Sequence, residues 1–292
     1  MQGNTSFAMF SVALASYLSV YPTIITIPVI LLLNRNQTDI SLQRKVAGQS
    51  VGLYIAFITV LFALSALLVD GVDFFGSVYG TIFRVADLTP NLGLLWYFFI
   101  EMFDQFRPFF LIVFQIHVFI FAVPVAIKLR KYPLFVAFLL SAIIGTFKGY
   151  PAVGDAALYL GLLPLSSEIF QYMRYSFVIV NLYLYSSFLA PVFWYLWIYV
   201  GSGNANFFYA IGLVYGIGEI ILMIDATYAI SRRNFEAEIP PVSDEARGPK
   251  GWDRDIYRKR QIDRKRKRTF WSQELLLVRQ SGPLIADPLF QT

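Results

Sequence analysis

The stretch PVFWYLWIYVGSGNANFFYAIGLVYGIGEIILMID, Pro191–Asp225, decides the fold. Two apolar runs flank a short hinge at 201–206. A helix crossing the hydrocarbon core of a bilayer needs about 20 mostly apolar residues. Extended to 177–200 and 207–230, both runs meet that length. The stretch predicts two spans that turn back on each other, inside an all-α polytopic transmembrane bundle. The hinge itself carries Asn204 and Asn206, with Phe207, Phe208 and Tyr209 directly behind.

Composition agrees with this reading. The chain has 292 residues, 57% of them hydrophobic and 15% charged, whereas an average soluble domain is about a quarter charged. Charge is segregated: residues 1–230 carry 10 Lys/Arg and 10 Asp/Glu, and the last 62 residues carry 14 and 9. The basic excess therefore belongs to a tail and does not describe a nucleic-acid-binding fold. There is no cysteine and one histidine, His117. A disulfide framework, a Cys nucleophile and a His/Cys metal site are excluded. The first ten residues lack the basic start of a secretory signal, so the first apolar run reads as a true span.

Seven spans are expected, at about 8–33, 51–69, 109–127, 132–147, 155–172, 177–200 and 207–230. Pro22 and Pro28 bend the first, and Pro164 interrupts the fifth. Short basic loops stay cytosolic. Arg35, Arg44 and Lys45, then Lys128, Arg130 and Lys131, then Arg232 and Arg233 mark that side. Positions 70–107 and 201–206 then face the lumen. The parity makes LGLLWYFFIEMFDQF, 92–106, a luminal interfacial helix, with its aromatic residues at headgroup level; the alternative is a short span ending at Glu101. Two domains follow: a transmembrane part, 1–235, and a basic tail, 236–292, disordered and cytosolic.

Charges in or beside spans are costly and informative. Glu101, Asp104, Asp155, Glu219 and Asp225 are of this kind. Each either pairs with a neighbour or carries function; Asp225 lies near enough to Arg232 and Arg233 to be interfacial, while Glu219 sits inside a span. Asp70, Asp73 and Asp87 form a spaced set of luminal acids, compatible with a general base or with ordinary turn chemistry. His117 reads as a packed histidine. Gly212, Gly216 and Gly218 permit close helix packing or ligand approach. In the hinge, Asn204 and Asn206 are expected to point the same way, as a polar rim over an apolar floor. That suits a lipid headgroup; it also suits capping of the last span.

Four motifs, DLTPNLGLLWYFFIEMFDQF, FKGYPAVGDAALY, FWYLWIYVGSGNANFFYA and DATYAISRR, resemble the U subunit family of GPI transamidase (phosphatidylinositol glycan class U). The resemblance runs from about residue 15 to 235. It implies a non-catalytic, multi-pass subunit of the endoplasmic reticulum membrane that recognises or positions the GPI glycolipid for attachment to precursor proteins. The implied partners are a protease-like subunit carrying the catalytic Cys and His, scaffold subunits, the glycolipid and the membrane, with no nucleic acid. No catalytic residue, metal or cofactor is expected in this chain. The family's Asn-x-Asn turn matches Asn204 and Asn206, so the implied lipid-binding set is Asn204, Asn206, Phe207, Phe208, Trp96, Phe99 and Phe103. Family members carry further spans N-terminal to YPTIITIPVILLL, and the tail beyond about 240 matches nothing in the family. The alternative is a glycosyltransferase-like enzyme of the dolichol-phosphate-mannose type; a transporter using Glu219 is a further one.

Overall fold

A computed structural model describes residues 4–238, and those residues are helical with no strand among them. They fall almost entirely in one compact unit that ends at Arg232; of the second unit, only the helical residues 233–238 are described. The expected disordered, cytosolic tail otherwise lies outside the described residues.

The chain opens with α1 (Thr5–Leu18), capped by the Asn4 side chain on Phe7 N–H. The first expected span is broken: a 3-10 turn at Tyr21–Ile25, with Pro22 in its first turn, separates α1 from α2 (Thr26–Leu33). Proline lacks the N–H that a continuous helix would need there.

Helix α3 (Ile40–Val69) is longer than the apolar run 51–69. Its first turns are polar, and Asp39 starts it by accepting from Ser41 N–H at 2.8 Å. At about 1.5 Å per residue α3 reaches about 45 Å, more than the hydrocarbon thickness, so hydropathy detects only its lipid-depth part. Asp70 closes the helix in the left-handed region, φ 53°. A π-helical turn and α4 (Gly80–Arg84) follow.

The segment read as interfacial holds a short helix, α5 (Leu95–Glu101). Seven residues cannot cross a bilayer. Met102 and Phe103 are extended, and after a 3-10 turn the chain enters α6 (Arg107–Ile120) and α7 (Ala122–Lys128). Then α8 (Pro133–Phe147) forms the centre of the bundle, with 12 of its 15 residues buried. A helix apolar on all sides belongs inside other helices, and α8 packs against α2, α6, α7 and the next helix, α9 (Val153–Leu162). Two 3-10 turns kinked at Ser166 continue α9 to Tyr172. Last come α10 (Ser176–Tyr195), extended by a π turn to Val200, and α11 (Ala205–Glu238).

Five helical stretches are long and apolar enough to cross a membrane: Ile40–Val69, Asp104–Lys128, Val153–Tyr172, Ser176–Val200 and Ala205–Ala237. They correspond to five of the seven expected spans. The other two are the broken α1–α2 segment and the 15-residue α8.

One end of the bundle gathers the loops that matter for the site. Asp87 N–H donates to the Tyr150 hydroxyl at 3.0 Å, and Gly93 lies against Pro151. Arg107 donates to Val85 O at 2.9 Å. Val85 is fully buried with φ 47°, a region that β-branched residues avoid. Its methyl Cγ2 sits 2.9 Å from where a side chain on Gly149 would begin.

Candidate functional site

The hinge between α10 and α11 folds back on itself. Gly201 takes φ 71°, and Ser202 and Gly203 both donate to Leu196 O at 3.1 Å. A Cβ on Gly203 would lie 3.2 Å from Trp197 N, so glycine allows this close return.

Helix α11 begins at Ala205, two residues before the expected span. This changes the geometry of the two asparagines. Asn204 precedes the helix, and its Oδ1 accepts from Phe207 N–H at 3.3 Å. Asn206 is already the second helical residue, and its Oδ1 accepts from the Tyr97 hydroxyl of α5. The expectation of an extended turn with both amides pointing alike is corrected: helical residues rotate by about 100° each, so the two side chains leave in different directions. Both residues are exposed, and neither Nδ2 donates to another group among the described residues.

Beneath the hinge lies an aromatic cluster. Trp96 is 1% exposed and lies 6.3 Å from Phe208, 6.5 Å from Trp197 and 5.8 Å from Tyr209, ring centre to ring centre. Tyr97 stacks on Tyr209 at 4.6 Å, and the Tyr209 hydroxyl donates to Leu94 O at 3.0 Å. Desolvation and the nearby Glu101 carboxylate hold the Tyr97 phenol above its ordinary pKa. Phe207 remains half exposed and stacks on Phe193 at 5.9 Å.

Trp96, Asn206 and Phe208 therefore come together, with Asn204 and Phe207 adjacent in the chain. Phe99 does not join them. It is buried in a separate cluster with Val85 and Leu95, under the Arg107 guanidinium. Phe103 is 73% exposed at the break after α5. The aromatic face expected along 96–106 is thus divided: within α5, Leu95 and Phe99 share one face while Trp96 enters another cluster, and the break after Glu101 detaches Phe103. Tyr97 and Tyr209, both among the aromatic residues singled out from the sequence, join the cluster, and so does Trp197, which the sequence did not single out.

The buried charges have specific partners. Glu219 accepts from the Tyr159 hydroxyl at 2.8 Å, and Tyr159 also meets Tyr183 at 2.8 Å. Asp225 is 1% exposed and accepts from Arg174 N–H and Tyr175 N–H, at the start of α10. It was expected to be merely interfacial from its nearness to Arg232 and Arg233; it is instead buried and engaged by two backbone donors about 50 residues away. Asp155 pairs with Lys148 at 2.7 Å and accepts from Ala152 N–H. Asp87 accepts from the Thr89 hydroxyl and N–H, which hold its carboxyl below the usual range. His117 packs against Phe121 and Phe147. Gly212 and Gly216 lie under Leu92 and Leu94 of the loop before α5, and Gly218 lies against Leu182 and Tyr183 of α10.

A cavity of about 450 Å³ opens between α9, α10 and α11. Leu92, Ala190 and Ile211 line it, and the same three residues belong to the packing around Trp96 and Phe208. The cavity and the cluster beneath the hinge therefore share a wall.

Compared with known proteins, residues 1–215 match the family described as GPI transamidase subunit PIG-U. The chain is 42% identical over 240 residues to the GPI-anchor transamidase component PIGU of Homo sapiens, covering 80% of this chain and 55% of the human protein. It is 37% identical over 239 residues to the GPI transamidase component GAB1 of Saccharomyces cerevisiae, covering 82% and 59%. The GAB1 homolog of Schizosaccharomyces pombe is 38% identical over 190 residues, covering 63% and 47%. The chain spans about half the length of these curated relatives.

Proposed function

The chain belongs to the GPI transamidase subunit PIG-U family, and on that premise we propose that it serves as a non-catalytic membrane subunit of a GPI transamidase in the endoplasmic reticulum. In this reading it holds the GPI glycolipid while a protease-like partner subunit carries out the transamidation. The supporting observation is the hinge. Exposed Asn204 and Asn206 flank the start of α11, and Asn206 is tied through Tyr97 to a packed cluster of Trp96, Phe208 and Tyr209.

An amide N–H₂ offers two donors, suited to the oxygens of a glycan or phosphate. Each such bond contributes about 1 kcal/mol net. Most of the affinity then comes from burying acyl chains and from partner subunits. Half-exposed Phe207 borders the apolar part. Phe99 supports the loop at Val85 from below, and Phe103 meets the surrounding lipid or a partner subunit.

The test is complementation. Cells lacking the U subunit receive this chain, or this chain with a family-length N-terminal addition, and GPI-anchored proteins at the surface are counted by flow cytometry. Restoration in either form supports the reading. Failure of both forms, with the protein present in the membrane, rejects it. The same assay with Asp70, Asp73 and Asp87 each changed to Asn separates the glycosyltransferase reading, which requires a loss.

A further inference from the structure

We propose that Arg174 is a phosphate-binding residue, whose guanidinium holds the phosphate of a membrane phospholipid at the end of the bundle opposite the hinge. The inference does not rest on the glycolipid reading, because it concerns the other leaflet.

Helix lengths give the depth. From Ala205 to Tyr228, α11 rises about 35 Å, and the stretch Ser176–Val200 covers a similar distance. Both exceed the roughly 30 Å of hydrocarbon in a bilayer. Arg174, two residues before α10, and Tyr228 therefore stand at headgroup level, a full bilayer away from Asn204 and Asn206.

The side chain is held before any ligand arrives. The Arg174 N–H donates to both oxygens of Asp225 at 3.0 Å, and the Tyr175 N–H donates to one of them at 2.9 Å. The guanidinium carbon lies 4.0 Å from the centre of the Tyr228 ring, and one of its nitrogens donates to the Tyr228 hydroxyl. A long side chain normally loses rotamer freedom on binding; stacking on Tyr228 has already taken much of that freedom. Arg174 is nevertheless exposed and forms no ion pair among the described residues. A guanidinium carries its N–H donors in a planar fork that matches phosphate oxygens, and Tyr228 occupies one of them.

The surroundings favour a lipid over a soluble anion. Tyr175 and Val178 are exposed beside Arg174, and Phe177 is 82% exposed. Outward apolar side chains continue down α10 at Val180, Leu184 and Phe188. A cation at the head of an outward apolar face mirrors a phospholipid, with phosphate above and hydrocarbon below. Tyrosine beside it suits the same level of the membrane. Arg232, four residues beyond Tyr228 on α11, adds positive charge at this end.

The test uses the full chain in phosphatidylcholine nanodiscs. The probes are phosphatidic acid with a photoactivatable diazirine near one ester and the diacylglycerol that differs from it by the phosphate alone. Cross-links are mapped by mass spectrometry, and the share of labelling at Tyr175 and Phe177 is compared. The expected share is about three- to ten-fold larger for phosphatidic acid. Arg174→Gln lowers it to the diacylglycerol value and leaves the diacylglycerol probe unchanged. That variant keeps the backbone N–H bonded to Asp225, and an unchanged thermal unfolding curve shows that the fold is intact. Tyr228→Leu, which removes the ring under the guanidinium, lowers the excess about two-fold.

Equal shares for the two probes in the unmodified chain overturn the proposal, as does an excess that survives Arg174→Gln. Loss of the excess in millimolar glycerol 3-phosphate overturns the lipid source and assigns the site to a soluble phosphate. Equal shares, together with loss of other subunits when Arg174→Gln is purified from cells, give Arg174 to a protein contact instead.

Discussion

Tyr97 and Asn206, 109 residues apart in sequence, are joined by a hydrogen bond from the phenol to the amide oxygen. The bond fastens α5 to the first turn of α11 and holds the amide through its oxygen. Tyr97→Phe removes the fastening but keeps the ring stacked on Tyr209. The expected outcome is normal expression with GPI attachment reduced two- to five-fold, about 0.5–1 kcal/mol, read by surface flow cytometry. Attachment equal to the parent chain assigns the bond to structure alone.

Asn204 separates capping from lipid contact. Asn204→Ala removes the cap on Phe207 N–H and destabilises the protein by about 1 kcal/mol. Asn204→Ser restores a cap without an amide nitrogen. If the glycolipid uses that nitrogen, the Ser variant regains thermal stability in detergent but not GPI attachment. Recovery of both identifies Asn204 as a cap only.

Glu219 is the acceptor at the end of a tyrosine chain through Tyr159 and Tyr183. Glu219→Gln keeps an acceptor oxygen and is expected to lower stability by less than about 1 kcal/mol. Glu219→Leu strands the Tyr159 hydroxyl in the core, at about 1–3 kcal/mol. Thermal unfolding of both variants checks the order. A Gln variant as damaged as the Leu variant argues that the charge itself is used, as a transport reading requires.

Asp225 holds two backbone N–H groups at the start of α10. Asp225→Ala leaves both unpaired in a buried place and is expected to cost about 2–4 kcal/mol, with Asp225→Asn intermediate. Limited proteolysis near 172–176 reports the loosened start of α10. Unchanged cleavage means that another group satisfies those donors.

The sequons at Asn4 and Asn36 report sidedness. The basic-loop orientation places Asn36 in the cytosol and Asn4 in the lumen. No sugar is expected on Asn36, measured as a mobility shift on glycosidase treatment. A glycan there inverts every assignment of a loop to a side.

The helices were legible because lipid imposes a simple rule: long apolar runs must be helical. Five of the expected spans fall inside helical stretches of spanning length, closely for 155–172 and 177–200, while α3 begins well before 51–69 and α11 runs beyond 230. Helix starts in water followed other rules. The start of α3 depends on the Asp39 side chain, outside any apolar run. The aromatic segment was recognisable as non-spanning, but its break at Met102, which detaches Phe103, was not; nor was the division within α5, where Phe99 shares a cluster with Leu95 and Trp96 enters another. The partners of Asp225 were hidden for another reason. They are main-chain groups about 50 residues away, and a backbone N–H carries no residue type to search for.

Val85 and Gly149 impose an order on sequence change. A side chain at 149 would meet a Val85 methyl at 2.9 Å, and Val85 itself occupies a backbone region that favours glycine. Gly149→Ala first is therefore expected to be deleterious, whereas Val85→Gly first trades lost packing for backbone relief and makes room. The two positions are epistatic. A lineage that acquires a side chain at 149 has to pass through a smaller residue at 85, so chains that keep Val85 while bearing an alanine in place of Gly149 should be missing from natural variation.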